Sequence, residues 1–321
     1  MTAPHAGSSL TVVVVVVYPD LLGTYGDGGN GLVLARRASW RGIPARLVEA
    51  YSDRPLPDAD IYCIGGGEDG PQVRAATALR ADGTLLRAAD RGAVVLGVCA
   101  GYQLLGRSFP DRDDLPHEGL GLLDVITRKG KGPRAVGELV ASPATGGPRL
   151  SGGGPLPSLT GFENHGGVTA VGPGARAVAT VERGVGNGSG DGTEGAWSDR
   201  VFGTYLHGPL LARNTELADL LLGWALSSTD TPVELAPLDD VEELALRRER
   251  FSAGADAGGA GRARRRWRRP GPTPPSPFVT VALSGSAGAS RHLRPGHAVG
   301  VAPTAATIAA TGRRRDPVAE E

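Results

Sequence analysis

Cys99 has the sequence environment of a reactive thiol. It ends the apolar β-rich run Ala93–Val98 and stands between Gly97 and Gly101, with the apolar stretch Ala100–Gly106 following at once. A side chain on so sharp a strand-to-helix turn is presented as a nucleophile, and glycines two residues either side relieve the crowding that a Cβ would cause there. The helix starting near Ala100 points unpaired N–H groups at the sulfur, which favours thiolate over thiol. Cys63, inside the strand-like Asp60–Ile64, has no turn glycine beside it and reads as a buried core residue.

A cysteine nucleophile needs a base to take and return its proton. Of the six histidines, His5, His292 and His297 lie in the two ends, and His117 sits in a polar loop. His207 ends the apolar run Val201–Leu206 and precedes Gly208-Pro209, the kind of strand end at which α/β sheets place active groups. His165, in Glu163-Asn164-His165 on a glycine-rich turn, reads as part of a pocket wall or of a partner interface and not as the base. Acyl transfer also needs backbone N–H groups where the oxyanion develops. Gly65-Gly66-Gly67 follows a buried strand, so the amides of Gly66 and Gly67, with that of Ala100, are the expected oxyanion hole.

These residues need a scaffold, and the surrounding pattern supplies one. Leu10–Tyr18 is a continuous β-branched run, as in a strand buried on both faces of a parallel sheet. A glycine-rich turn, Tyr25–Asn30, leads into a helical pattern that stops at Gly42. Ala45–Ala50 and Asp60–Ile64 read as strands, Gln72–Arg91 as one helix, and Ala93–Val98 as the strand feeding Cys99. Strands alternating with helices indicate an α/β domain with a mainly parallel sheet. From Gly119 to Thr204 the texture changes to short strand-like pieces (122–127, 135–141, 175–182 and 200–204) between Gly/Pro/Ser turns, which suggests added antiparallel strands. Residues 214–226 and 239–250 read as helices, and 184–195 as a mobile glycine- and acid-rich loop.

The expected organisation is a disordered N-terminus over 1–9, one domain over 10–251 and a disordered Arg/Gly/Pro/Ala-rich tail over 252–321. The chain of 321 residues has zero formal charge, unevenly placed. The tail holds eleven arginines against four acids, about +7, so the remainder is about −7. Six of those arginines fall in 262–269 around Trp267, which reads as a solvated tail in preference to a nucleic-acid or lipid contact. Two cysteines argue against a disulfide framework. The six-residue run Val12–Val17 is too short to span a bilayer, and no basic segment precedes it. The expected location is therefore cytoplasmic, with no transmembrane segment.

Gly97–Gln103 together with Tyr205–Pro209 resembles the class I glutamine amidotransferases, in the cobyric-acid-synthase-like branch that lacks the usual Glu two residues after the catalytic His; Pro209 stands there. Within that branch, Tyr18–Leu22, Tyr25–Asn30, Gly65–Asp69, Gly161–Gly167 and Gly203–Leu211 look like the glutaminase subunits of lipid II isoglutaminyl synthases. The resemblance covers about 10–251. It implies a flavodoxin-like fold in which Cys99 attacks the side-chain amide of L-glutamine, His207 shuttles the proton, and water hydrolyses the resulting thioester. Ammonia would pass to a Mur-ligase-like synthase subunit, forming a heterodimer. That partner would bind ATP and Mg and amidate the α-carboxylate of D-glutamate in the lipid II stem peptide; no cofactor or metal is expected on this chain. The third triad member would be an acid from the partner, leaving the lone chain a weak glutaminase. Arg134 would pair with the substrate carboxylate, and Gln103 would hold the glutamine. Three rivals remain: a cobyrinate-type amidotransferase, although no Gly-x-x-x-x-Gly-Lys-Ser/Thr is present; a dienelactone-hydrolase-like cysteine hydrolase; and a catalytically silent scaffold.

Overall fold

The computed structural model describes residues 11–259. Its first half is a run of strand–helix units: β1 (Val12–Val17), α1 (Pro19–Leu22), α2 (Gly29–Trp40), β2 (Ala45–Ala50), β3 (Ile61–Ile64), α3 (Asp69–Asp82), α4 (Thr84–Asp90), β4 (Val94–Val98) and α5 (Ala100–Leu105). An antiparallel section follows, with β5 (Ser108–Pro110), β6 (Pro116–Glu118), β7 (Val125–Lys129), β8 (Ala135–Pro143), β9 (Leu159–His165), β10 (Gly167–Val171), β11 (Ala179–Arg183) and β12 (Thr193–Glu194). The chain then returns through β13 (Ala196–Ser198), β14 (Val201–Thr204), α6 (Leu210–Arg213), α7 (Thr215–Leu226) and α8 (Val241–Gly259).

The main sheet has the order β13-β14-β4-β3-β1-β2. Five strands are parallel, and β13 pairs antiparallel at one edge. This is the flavodoxin-like order, and ligand sites in such sheets lie beyond the carboxyl ends of the strands, at the point where the strand order reverses. Here the C-terminal ends of β1, β3, β4 and β14 stand side by side in the sheet, so the four loops that follow them converge. β3 and β4 are buried at every position, which is why they read as unbroken apolar runs and not as alternating ones.

Two smaller four-stranded sheets, β10-β7-β5-β6 and β12-β11-β8-β9, carry the rest. The tight connection from β9 to β10, through Gly166, joins them and runs past Cys99. The expected antiparallel addition is thus two sheets, and their longest ladder pairs β8 with β9.

Two expected elements differ. The helix over 72–91 is broken into α3 and α4 because Gly83 adopts φ 68°, a left-handed cap that stops the first helix. The helix over 239–250 continues to Gly259, past the boundary read at residue 251. The remaining tail and residues 1–9, including the expected disorder and the arginine cluster, lie outside the described residues.

On α2, Arg37 is buried and makes bidentate contacts with Asp219 of α7 (2.8 and 2.8 Å) and Asp240 (2.6 and 2.9 Å). A guanidinium fork matches carboxylate geometry in this way, and burying it unpaired would be strongly destabilising. The clamp fixes the helix that immediately follows the Tyr25–Gly28 turn. Among the described residues, no helix is long and apolar enough to cross a membrane.

Candidate active site

Cys99 sits between β4 and α5 at φ 53°, ψ −104°, a backbone conformation that side-chain-bearing residues rarely adopt. Such strain costs of order 1–3 kcal/mol and persists only where its surroundings enforce it. The flanking glycines show how. A Cβ on Gly101 would lie 2.4 Å from the Ile64 carbonyl oxygen, and one on Gly97 would lie 2.8 Å from the Gly101 carbonyl carbon. The elbow is therefore packed directly onto the end of β3, and the Gly101 N–H donates to the Gly65 carbonyl (3.1 Å). Cys63 is buried in β3, and desolvation pushes its thiol up to about 12, so it is inert as expected.

His207 is buried in the loop after β14, and its backbone exchanges two hydrogen bonds with Phe162 of β9 (2.8 and 3.1 Å). Its Nδ1 lies 3.0 Å from Asp27 Oδ2 and 3.2 Å from Oδ1. Nε2 has no hydrogen-bond partner of good geometry among the described residues, which leaves it available to the thiol and to a leaving group. Burial disfavours the imidazolium, but hydrogen bonding to Asp27 and the proximity of Cys99 outweigh it and raise the pKa to about 10. An imidazolium so held stabilises a thiolate beside it.

Asp27 is the residue that the sequence reading missed. The expected acid from a partner is not needed at Nδ1, because this chain places its own carboxylate there from the loop before α2. The surrounding motif explains the approach. A Cβ on Gly29 would meet Pro209 at 2.7 Å, so glycine lets α2 pack against the loop that carries His207. Asn30, also buried, accepts the Leu211 N–H at 3.0 Å. Tyr25 tilts over the His207 ring with 4.9 Å between centroids. The signal was present in Tyr25–Asn30, but 180 residues separate Asp27 from His207, and only the adjacency of the β1 and β14 loops across the sheet edge unites them. A second unforeseen acid, Glu194, is buried beneath the same loop and accepts from Thr204 Oγ1 (2.5 Å) and the Tyr205 N–H (2.9 Å).

The expected oxyanion hole needs one correction. The Gly66 N–H donates to Asp27 Oδ2 at 2.9 Å, so it serves the relay and not a substrate oxyanion. Gly67 and Ala100 both line the pocket beside Cys99, and the Ala100 N–H, at the first turn of α5, has no intrahelical partner. Those two amides are the donors the structure leaves for a developing charge.

The pocket around Cys99 has a volume of about 240 Å³, below the roughly 300–1,000 Å³ usual for drug-sized ligands, and suits a single amino acid. Arg134, at the mouth of β8, is aimed by Asn164: Nε donates to its Oδ1 (2.6 Å) and the guanidinium also reaches its backbone carbonyl (2.9 Å). The other edge of the guanidinium is left for an anion. Gln103 forms part of the pocket floor, although its amide is engaged within the protein. Its oxygen accepts from Gln72 and its nitrogen donates to Tyr205 Oη, both at 3.1 Å, which leaves one N–H for a bound group. His165 belongs to the wall: its ring stacks on Tyr205 at 3.7 Å, and its Nδ1 lies 3.0 Å from the Gly167 carbonyl. Glu163 accepts the N–H groups of Val185 and Gly186 and so anchors the 184–195 loop that was expected to be mobile.

Residues 13–215 match the family model of the CobB/CobQ-like glutamine amidotransferase domain. The chain belongs to this family. It is 35% identical over 232 residues, 71% of the chain and 90% of the relative, to the lipid II isoglutaminyl synthase (glutamine-hydrolyzing) subunit GatD of Staphylococcus aureus. The subunit of the same name from Streptococcus pneumoniae is 30% identical over 246 residues, 75% of the chain and 91% of the relative. A cobyric acid synthase of Pelotomaculum thermopropionicum is 42% identical over 201 residues, covering 56% of this chain but 35% of that longer protein. As a member of the glutamine amidotransferase family this chain is an enzyme, and the Cys99–His207 pair lies where four sheet-edge loops of that domain converge.

Proposed function

We propose that this chain is the glutaminase subunit of a lipid II isoglutaminyl synthase. The observation that carries the reading is Cys99 on a strained elbow, opposite an imidazole oriented by Asp27 and beside the free amides of Gly67 and Ala100. The relatives named above, matched over nine-tenths of their length, support the choice of complex.

The geometry supports the following chemistry. The Cys99 thiolate, paired with the His207 imidazolium, attacks the side-chain amide carbon of L-glutamine. The carbonyl π-electrons move to oxygen, and the N–H groups of Gly67 and Ala100 stabilise that oxyanion. His207 Nε2 gives its proton to the amide nitrogen, the C–N bond breaks and ammonia leaves. Neutral His207 then removes a proton from water, hydroxide attacks the thioester, and the Cys99 thiolate departs to give glutamate. Asp27 holds the Nδ1 proton throughout, so that Nε2 is the nitrogen that exchanges protons. Arg134 pairs with the α-carboxylate, and the remaining N–H of Gln103 contacts the amino-acid backbone. Ammonia passes to a Mur-ligase-like synthase subunit that binds ATP and Mg and amidates the D-glutamate α-carboxylate of the stem peptide, placing the complex in the cytoplasm beside its lipid-linked acceptor.

The test is glutamate and ammonia release by the full chain with and without that synthase subunit, and amidation of lipid II by the pair. Cys99→Ala is expected to abolish all three. Glutaminase activity that survives Cys99→Ala refutes the mechanism. Robust ester hydrolysis by the chain alone moves it to the dienelactone-hydrolase type, and amidation of a corrinoid carboxylate instead of lipid II moves it to the cobyrinate type.

A further inference from the structure

Glu194 is a buried acid that the mechanism has not used, and its place in the fold gives it a task. It is the last residue of β12, and the loop before it is pinned by Asn187. The Asn187 amide donates to Thr193 Oγ1 (2.9 Å) and to the Gly195 carbonyl (3.0 Å), and accepts from Tyr102 Oη of α5 (3.2 Å). Gly195, at φ 60°, then lets the backbone pass against β14, where a Cβ would lie 2.5 Å from the Gly203 carbonyl oxygen. Glu194 Oε1 accepts from two neutral donors, the Thr204 hydroxyl (2.5 Å) and the Tyr205 N–H (2.9 Å). Its Oε2 has no partner among the described residues, so no cation accounts for the burial of this acid. What it supplies is an acceptor.

Thr204 is where the two halves of the site meet. It is the last residue of β14, and its carbonyl accepts the Cys99 N–H at 2.8 Å, so the strained elbow hangs from it. His207 follows three positions later. The Thr204 hydroxyl accepts the Leu206 N–H (3.0 Å), which leaves its single proton for Glu194. With the Tyr205 N–H also on Glu194 and the His207 N–H on the Phe162 carbonyl (2.8 Å), every backbone donor from Tyr205 to His207 is directed. Thr204, Tyr205 and Glu194 are all buried, so a lost acceptor is not made good by solvent. We infer that Glu194 is a positioning residue for the reaction: through Thr204 it sets the turn that fixes His207 relative to Cys99. The inference rests on the glutaminase reading and goes beyond the relay, since Asp27 orients the imidazole ring whereas Glu194 places the backbone that carries it.

The experiment measures kcat and KM for L-glutamine with the full chain and its synthase subunit, and Cys99 alkylation by iodoacetamide with the full chain alone. Thr204→Val removes only the hydroxyl and keeps the shape of the side chain. It is expected to lower kcat about 10- to 100-fold, the scale of about an ångström of misplacement, with KM within about threefold of the wild type. Alkylation is expected to slow with it. Thr204→Ser, which keeps the hydroxyl, is expected to restore most of kcat. Glu194→Leu is expected to act in the same direction, and Glu194→Gln, whose amide oxygen accepts both donors, to retain most of the activity. Glu194→Leu combined with Thr204→Val is expected to match Glu194→Leu, because both cut one tie. Thr204→Val with kcat and alkylation within about twofold of the wild type overturns the inference. A loss confined to KM, an equal loss in Thr204→Ser, or losses that multiply in the double variant overturn it too. If Glu194→Leu does not fold, Thr204→Val against Thr204→Ser decides. Wild-type protein that hydrolyses no glutamine overturns the glutaminase reading, and the alkylation rates then decide the positioning role by themselves.

Discussion

Replacing Asp27 by Asn tests the relay with the least disturbance, because an Asn oxygen can still accept the Gly66 N–H that Asp27 holds at 2.9 Å. What is lost is the charge. At the observed 3.0 Å and an effective dielectric of about 20, an imidazolium–carboxylate pair is worth about 5.5 kcal/mol. Its loss lowers the His207 pKa from about 10, since the burial that opposes the charge remains and of the two supporting groups only Cys99 is left. For turnover the relevant quantity is the net value of a hydrogen bond to a charged group, about 1.5–3 kcal/mol, which predicts a fall in kcat of about 10- to 150-fold. Two assays check this, one of them without any partner. The first is glutaminase turnover. The second is Cys99 alkylation by iodoacetamide, whose rate is expected to drop as the imidazolium beside the sulfur is lost.

The stability of the fold carries the same signature. Native His207 keeps its proton up to about 10, whereas the unfolded imidazole loses it near 6.5. Between those values the native state binds the extra proton, so this contribution is fully present below pH 6.5 and disappears as pH rises through 10. The wild-type Tm should therefore fall with rising pH across that window, and less steeply in Asp27→Asn. A variant that matches the wild type within twofold in turnover and alkylation, with an unchanged slope of Tm against pH, refutes the role assigned to Asp27.

Three further outcomes are expected. Arg134→Ala should raise the KM for glutamine about 10- to 100-fold with a smaller fall in kcat, because the carboxylate contact is lost together with the hydrogen bonds that Arg134 gives Asn164; steady-state kinetics separate the two. Under native conditions a thiol reagent should label Cys99 alone, because burial pushes the Cys63 thiol up to about 12; peptide mapping by mass spectrometry reads this. Gly101→Ala should destabilise the domain by about 1–3 kcal/mol, as a methyl 2.4 Å from the Ile64 carbonyl must push the elbow off β3; calorimetry or urea unfolding measures it.

The candidate nucleophile, its candidate base and the sheet that carries them were legible because each is a local matter. Gly97-Val98-Cys99-Ala100-Gly101 encodes a tight turn through residue size alone, and buried parallel strands announce themselves as unbroken β-branched runs. The split of the 72–91 helix was legible only weakly, since one glycine in a helical pattern marks a possible cap without requiring it. The roles of Asp27, Glu194 and Gly66 were not legible. Asp27 lies in a polar, glycine-rich turn where an acid is unremarkable, and its partner is 180 residues away. Glu194 lies in a glycine- and acid-rich loop that reads as mobile, yet it is fully buried and accepts from Thr204 Oγ1 and the Tyr205 N–H.

Chain order alone therefore determined what could react: a thiol at a strand end, a histidine at another, and the glycines that allow backbone to approach both. Only the tertiary structure decided how the charges around them are shared. Sheet order set β1 and β14 on either side of β3 and β4, so that the loop after β1 reaches the imidazole and takes one of the two glycine amides expected at the oxyanion. Hydrogen bonds and ion pairs act over about 3 Å, and which groups come within that distance is a property of how strands are ordered across a sheet, which the local pattern of each strand does not contain.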